Sequence, residues 1–538
     1  MTTKGRPDQL FQNDGTGKFT NATESAGITG DHYGLSATWI DYDQDNDLDL
    51  YVANDFKDPD RLYQNQGNGT FRDVIQQVVP HTPWFSMGSD AADMNNDGLV
   101  DLFVLDMSST THYKQKLNMG DMARHASFMD KAEPRQLMRN AYFLNSGMGR
   151  FLESAHLSGL ASSDWSWAVK LADFDNDSLT DVLITNGMTA ELTNADLGRN
   201  QSEYVGREEW SYLKDQARRT EPNMAFRNRD GFQFDKTAKA WGIDHDGMSY
   251  AAAWADLDRD GNLDLVVGNL DENVSVYQHR GSANSRLLVS LRGLGKNPYG
   301  IGAKVTARTG TRTLTRVLNP ATGFMSSNDP IIHFGLGDAA IIDELVITWP
   351  TGTIQVLTGV EANRHLLIAE PNQSIKRDEL ATASMYIPVE DNNLSVAKHT
   401  ETTFDDFATQ PLLPNKLSQL GPGVSTEDLD GDGDDDAIFG TARGEKPHAH
   451  FFHAGQWLVG YFKVGRYDAH CEDMAPLLFD ADADGDMDWF AVSGGVEAGQ
   501  ATHLLEDRLY VQQKPDQFVK TTKALPNRPV SGGGAAAA

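Results

Sequence analysis

The sequence predicts an all-β protein: a β-propeller of four-stranded blades with calcium loops, plus a small β-sandwich and helical inserts. Three observations predict it. A nine-residue acidic loop recurs six times, each copy runs into a short apolar stretch of strand length, and a Gly-rich hairpin phrase alternates with the loops.

The loop is clearest at Asp256-Leu257-Asp258-Arg259-Asp260-Gly261-Asn262-Leu263-Asp264, which continues as Leu265-Val266-Val267. Carboxylates stand at positions 1, 3, 5 and 9, and Gly stands at position 6, where the backbone must turn sharply. The other copies are Asp41/Asp43/Asp45/Asp49, Asp93/Asn95/Asp97/Asp101, Asp173/Asp175/Asp177/Asp181, Asp428/Asp430/Asp432/Asp436 and Asp480/Asp482/Asp484/Asp488. Side-chain oxygens converging in this way suit a hard cation that takes six to eight ligands, so Ca²⁺ is expected in preference to Mg²⁺ or a transition metal, at up to six sites. Position 6 reads Asn46, Gly98, Ser178, Gly261, Gly433 and Gly485. Gly and Asn tolerate a positive φ there, and Ser178 departs from the pattern, so its loop is expected to be the weakest. Position 7 varies and is expected to offer only its carbonyl. Acidic turns without an ion are the alternative, but four carboxylates aimed at one point repel each other strongly.

An EF-hand opens with similar spacing but needs a bidentate Glu at position 12 and flanking helices. Position 12 is Val52, Val104, Ile184, Val267, Phe439 and Ala491, apolar every time. Runs such as Leu50-Tyr51-Val52-Ala53 and Val182-Leu183-Ile184-Thr185 are too short for helices and rich in β-formers, so the loops lead into buried strands.

The hairpin phrase reads Leu10-Phe11-Gln12-Asn13-Asp14-Gly15, Leu62-Tyr63-Gln64-Asn65-Gln66-Gly67 and Phe143-Leu144-Asn145-Ser146-Gly147, with degenerate copies at Phe226–Gly231 and Leu509–Gln513. A unit is therefore loop, strand, strand, hairpin, strand. Loop starts are separated by 52, 80, 83, 172 and 52 residues. A four-stranded blade needs about 40–60 residues, so the intermediate gaps are blades with inserts near 107–139 and 188–222. Both inserts read as helical and exposed, with Met119, Met122, Met129 and Met138 in the first and the run from Tyr204 to Leu213 in the second. They are expected either to bind something or to cap blade edges.

The longest gap holds a different unit. Residues 286–371 read as a sandwich of short antiparallel strands, residues 372–400 as a polar linker, and residues 401–538 as further blades after those of residues 1–285. The closing Ser531-Gly532-Gly533-Gly534-Ala535 resembles the small residues before a loop, as Ala91-Ala92 precede Asp93, and a truncated blade is the expectation.

A formal net charge of −31 argues against nucleic acid as a partner, since phosphates are met by clustered Lys and Arg. The single cysteine, Cys471, allows no internal disulfide, while sites of millimolar affinity fill only outside cells; a secreted or cell-surface protein of bacterial type fits both. No membrane-spanning apolar run and no signal peptide are visible.

Other candidate chemistry is sparse. There is no His-Glu-x-x-His site, no Gly-x-Ser-x-Gly elbow and no phosphate loop. His448, His450 and His453 read as exposed strand residues, and Cys471 as a buried, inert thiol. Trp39, Trp84, Trp165, Trp167, Trp241, Trp254 and Trp489 read mainly as blade packing, with sugar stacking as the alternative.

These features together resemble the FG-GAP/VCBS repeat proteins that carry an ASPIC/UnbV domain, the cartilage acidic protein-like family, whose loops are of the integrin α type. The resemblance of the middle unit rests on Asn297-Pro298-Tyr299-Gly300-Ile301-Gly302, His333-Phe334-Gly335-Leu336-Gly337 and Asp343–Gly352. It implies a propeller, bound Ca²⁺ and an extracellular location, and no defined activity. The expected function is an adhesion, scaffold or surface-assembly module with structural Ca²⁺, not an enzyme, with an extracellular protein or glycan partner or self-association. The alternative is a lectin-like module, or a polysaccharide-acting enzyme with its site at the propeller face.

Overall fold

A computed structural model of the chain describes residues 6–56, 58–118, 132–189, 218–371, 377–379, 387–388, 423–453, 456–462, 468–494, 502–514, 517–521 and 525. Six antiparallel four-stranded sheets follow one another as blades. Each begins on an innermost strand and turns through one acidic loop into a second strand; five end on a hairpin, and the fourth takes its outer strand from beyond the sandwich. The innermost strands are Gly34–Ile40, Ser89–Ala92, Ser166–Ala172, Ser249–Ala255, Val424–Glu427 and Asp473–Phe479, and each packs against the next in that order. Second strands such as Asp49–Asn54, Asp181–Asn186 and Asp264–Asn269 are buried at every residue, which explains their unbroken apolar runs. Cores lie between the sheets: Ile40, Tyr51 and Leu62 of the first blade pack with Leu102, Val104 and Phe143 of the second.

The sandwich has two four-stranded sheets. One orders Ile331–Gly337, Ser285–Arg292, Arg364–Ala369 and Arg377–Glu379; the other Arg312–Val317, Lys304–Thr309, Ile341–Thr348 and Ile354–Glu361. It differs from the antiparallel expectation in one pair, because Ser285–Arg292 runs parallel to Arg364–Ala369. The stretch expected as linker also contributes: Arg377–Glu379 extends the sandwich, and Ile387–Pro388 supplies the outer strand of the fourth blade.

Of the first insert, the described part holds the helix His112–Asn118, with Tyr113 exposed, and the strand Arg135–Leu137, which pairs parallel with His81–Pro83. Met119, Met122 and Met129 lie outside the described residues, as does the run from Tyr204 to Leu213.

The link between the two sheets of the sandwich carries the main surprise. Residues 319–329 touch the innermost strands of all six blades. Asn319 Nδ2 donates to the carbonyl of Trp39 at 3.0 Å, Gly323 N to Ser89 at 2.7 Å, Asp329 N to Trp254 at 3.4 Å and Ser327 N to Val424 at 3.1 Å. Lys170 Nζ donates to the carbonyl of Thr322 at 2.9 Å, and Phe324 and Met325 pack with Trp167, Tyr250 and Met474. This segment fills the central channel. The channel floor expected for a catalytic propeller is therefore occupied by the protein's own backbone.

Candidate metal centres

Each loop is built by the same local rule. Position 4 and position 6 both take a positive φ in all six copies: Gln44 and Asn46, Asn96 and Gly98, Asn176 and Ser178, Arg259 and Gly261, Gly431 and Gly433, Ala483 and Gly485. Two left-handed residues fold nine residues into a tight cup between two strands, with no helix on either side. Ser178 adopts φ +80° and completes its cup like the rest.

The carboxylate at position 1 accepts the position 6 amide, as in Gly98 N to Asp93 at 2.9 Å and Gly261 N to Asp256 at 2.9 Å. The carboxylate at position 5 accepts the position 7 amide, as in Leu99 N to Asp97 at 2.9 Å. Position 9 does more than the sequence suggested. One oxygen accepts the position 2 amide, as from Leu257 to Asp264 at 3.0 Å, and the other accepts an amide at the end of the third strand, as from His279 to Asp264 at 2.6 Å. The same double bond is made by Asp49, Asp101, Asp181, Asp436 and Asp488. Position 9 thus ties loop to sheet as well as facing the cup.

Carboxylate oxygens converge within 4.8 Å of one another in five loops: Asp41/Asp43/Asp45, Asp173/Asp175/Asp181, Asp256/Asp258/Asp260, Asp428/Asp430/Asp436 and Asp480/Asp482/Asp488. Each cluster is a triple. In the first and fourth loops the residue left out is at position 9, Asp49 and Asp264. In the third, fifth and sixth it is at position 5. There Asp177 and Asp432 turn to Arg227, at 2.8 Å, and to His453. Asp484 accepts the Asp486 amide at 3.2 Å and lies beside the Asp486 carboxyl, which burial and this neighbour push up to about 7. Among the described residues the second loop brings no three carboxylates together, so Asp93, Asp97 and Asp101 form no cluster; there Asn95 Nδ2 donates to Asp97 at 2.9 Å. Arg227 also sits 2.6 Å from Asp175, so the third loop already has a cation beside it.

The clusters are under electrostatic load. Burial, added to by neighbouring aspartates, pushes Asp49 and Asp436 up to about 8 and Asp488 to about 7. Asp256 and Asp264 rise well above the ordinary range for the same reasons. Asp41 Oδ1, Asp43 Oδ1, Asp256 Oδ1 and Asp482 Oδ1 are buried with no hydrogen-bond partner. Orphaned carboxylate oxygens in an all-oxygen donor set are what a hard divalent cation would satisfy.

The sandwich sits on the loops. Arg286 donates to the carbonyl of Asp260, Gly337 N to that of Asn176 at 2.8 Å, and Arg312 to Ser178 Oγ at 3.4 Å. A Cβ on Gly335 would lie 1.9 Å from Asp173 Oδ2, so only glycine allows this approach. Arg316 is buried between the second and third loops, where Asp173 and Asp93 offset the cost of its burial.

A family model described as ASPIC and UnbV matches residues 293–375, and one described as an FG-GAP-like repeat matches residues 41–104. The chain carries an ASPIC/UnbV domain and FG-GAP-like repeats. It is homologous to cartilage acidic protein 1: that of Xenopus tropicalis is 26% identical over 336 residues, 60% of this chain and 43% of the relative, and that of Mus musculus 25% identical over 345 residues, 62% and 44%. The match spans less than half the length of these relatives. A solved lectin structure from Agrocybe aegerita, described as recognising terminal N-acetylglucosamine, aligns over 90% of this chain and 89% of its own at 10% identity with a TM-score of 0.29, too slight a likeness to argue from.

The remaining candidates separate cleanly. Cys471 is buried, and burial raises its thiol, so it is held as an unreactive thiol. His453 is exposed, but His450 is fully buried with neither ring nitrogen bonded, which corrects the expectation of three exposed histidines; its neighbours Phe439 and His448 enclose it in the fifth blade. Trp84, Trp165, Trp167 and Trp489 are buried, as blade packing requires.

Proposed function

We propose that this chain is an extracellular, calcium-binding propeller that acts as an adhesion, scaffold or surface-assembly module, with Ca²⁺ structural and no catalytic role. The observation that carries the proposal is the set of five convergent carboxylate clusters, of which the first, fourth and sixth hold orphaned buried oxygens and the third and fourth meet the sandwich. Cations there would cancel the repulsion inside each cup, join loop to strand in every blade, and hold the surface on which the covering domain sits. Asp256, Asp258 and Asp260 would hold one ion, and the converging residues of the first, third, fifth and sixth loops would hold the others.

The filled channel supports binding over catalysis. Propeller enzymes need access to a central site, and here Phe324 and Met325 stand in that place, both buried. A cavity of about 70 Å³ remains beneath the ASPIC/UnbV domain, lined by Asp93, Asp173, Arg316 and His333. That is room for water rather than for a polymer chain.

The test pairs limited proteolysis with an activity screen. Protein in Ca²⁺ should resist a non-specific protease that cleaves it readily in EGTA, and a panel of extracellular polysaccharides should show no turnover. Equal resistance in both buffers would remove the structural role, and turnover of any polysaccharide would remove the non-catalytic one.

A further inference from the structure

One position of the third strand differs from blade to blade in a way that bears on the loops. The residue after position 9 pairs with Tyr63, Phe143, Phe226, Tyr277, His450 and Tyr510 in the six blades. The next residue of that strand is Gln64, Leu144, Arg227, Gln278, Phe451 or Val511 in turn, polar only in the first, third and fourth blades. In all three polar cases the side chain reaches the position 3 carboxylate of its own loop. Gln64 Nε2 donates to Asp43 Oδ2 at 2.6 Å, Gln278 Nε2 donates to Asp258 Oδ2, and Arg227 Nε lies 2.6 Å from Asp175 Oδ2. Two loops thus receive a neutral amide, and the third receives a full positive charge.

Arg227 does more than the glutamines. Its Nη2 donates to Asp177 Oδ2 at 2.8 Å, so one guanidinium spans positions 3 and 5. Both positions belong to the converging triple in the first loop (Asp43, Asp45) and in the fourth (Asp258, Asp260), whereas Asp177 lies outside that of the third. A guanidinium presents its donors in a fixed fork and stays charged at any physiological pH, so it stands beside these oxygens as a cation tied to the sheet. It also has a way out: the Arg227 side chain is 35% exposed, while that of Asp175 is only 9% exposed.

We propose that Arg227 sets the calcium affinity of the third loop, as a tethered cation that holds Asp175 and Asp177 when Ca²⁺ is scarce and turns out to solvent when the ion enters. The idea rests on Ca²⁺ being the ion that the cups take. A guanidinium and a divalent cation cannot share these oxygens at contact distance, because their charges repel and the ion needs six to eight oxygen ligands. Gln64 and Gln278, at the same strand position, carry no charge and can keep their bond to a carboxylate that also ligates a metal. The third site therefore fills at higher free Ca²⁺ than the first and fourth, and its loop keeps its shape without the ion. That matters for the covering domain, which is seated on this loop. Gly337 N donates to the carbonyl of Asn176 at 2.8 Å, and Gly335 comes so near that a Cβ on it would lie 1.9 Å from Asp173 Oδ2. With Arg227 in place the seat persists at low Ca²⁺.

The experiment exchanges the two residue types. Arg227→Gln gives the third loop the side chain of the first, and Gln64→Arg does the reverse. In equilibrium Ca²⁺ titrations of the whole chain against a chromophoric chelator, Arg227→Gln should tighten the weakest step of the wild type by at least about tenfold. The tightening should vanish when Asp175→Asn is added, which disables the third cup, and Gln64→Arg should weaken one of the stronger steps. In EGTA, Arg227→Gln should speed amide exchange at Gly337 by at least about tenfold, and Gln64→Arg should leave it unchanged. A titration that neither substitution alters, or a tightening that survives Asp175→Asn, would overturn the proposal and leave the calcium function standing. A wild-type chain that takes up no Ca²⁺ would overturn both.

Discussion

The side chain of Asn145 donates to the carbonyl of Tyr42 at 2.7 Å, across the boundary between the first two blades. Both residues are buried, and the bond joins the hairpin of one sheet to the acidic loop of its neighbour. Sheets that share only apolar faces can slide; this link, repeated down the chain, sets each blade against the next. Asn145→Ala should lower stability by about 1–3 kcal/mol, the cost of leaving a buried carbonyl unpaired, without changing Ca²⁺ affinity at the other loops. Urea unfolding of the two proteins checks this.

Position 9 and position 3 should part company on mutation. Asp264 satisfies two buried amides, those of Leu257 and His279, so Asp264→Ala should cost about 2–4 kcal/mol with or without Ca²⁺. Asp258 lies in the same loop's cluster and accepts one backbone amide, that of Asp260 at 3.2 Å, and the side chain of Gln278; an Asn oxygen can keep the first of these, so Asp258→Asn should change the melt in EGTA much less than Asp264→Ala and remove only part of the gain from Ca²⁺. Paired thermal melts in the two buffers separate these outcomes.

The channel segment gives a third prediction. Gly323 has φ +80°, and a Cβ there would lie 2.8 Å from the carbonyl of Val169. Gly323→Ala should destabilise the protein by about 1–3 kcal/mol and raise protease sensitivity within residues 319–329. Gly310, with φ +57° and open space around it, is the control: its alanine variant suffers backbone strain alone and should lose less.

The pH dependence of the calcium-free protein follows from the raised carboxyls. Asp49 and Asp436, at about 8, and Asp488, at about 7, are held above an unfolded value of about 3.9. The folded chain therefore binds more protons than the unfolded chain, and stability present at low pH is lost as pH rises from about 4 to about 8. In EGTA the melting temperature should fall across that window, and the gain from added Ca²⁺ should be larger at pH 8 than at pH 5. Melts at several pH values in both buffers measure it.

Much of the fold was legible because the loop repeats at fixed offsets and ends on apolar strands; the apolar position 12 and the short strand that holds it separated the loop from a helix-flanked one. The second left-handed position was not, since Gln44, Arg259 and Ala483 give no sign of positive φ among the Asn and Gly of the other copies. Nor was the interblade role of Asn145 and Asn228, because Asn beside Gly reads first as a turn former. The channel segment was hidden for a related reason: Asn319-Pro320-Ala321-Thr322-Gly323 looks like an ordinary loop, and only its placement among six inner strands shows what it does. Spacing alone also made every loop carboxylate look equivalent, whereas Asp177 and Asp432 pair with Arg227 and His453. In the third loop, Ser178 drew attention as the irregular residue, whereas the structure points to Arg227, which lies far away in sequence and brings its own positive charge to Asp175 and Asp177.

The most direct measurement is the metal content of the purified chain. After equilibration in Ca²⁺ and gel filtration, elemental analysis should find about five calcium ions per chain, one for each convergent cluster, with the third the first to be lost as free Ca²⁺ falls. A chain that leaves the column without bound calcium, yet melts at the same temperature as in EGTA, would contradict the account.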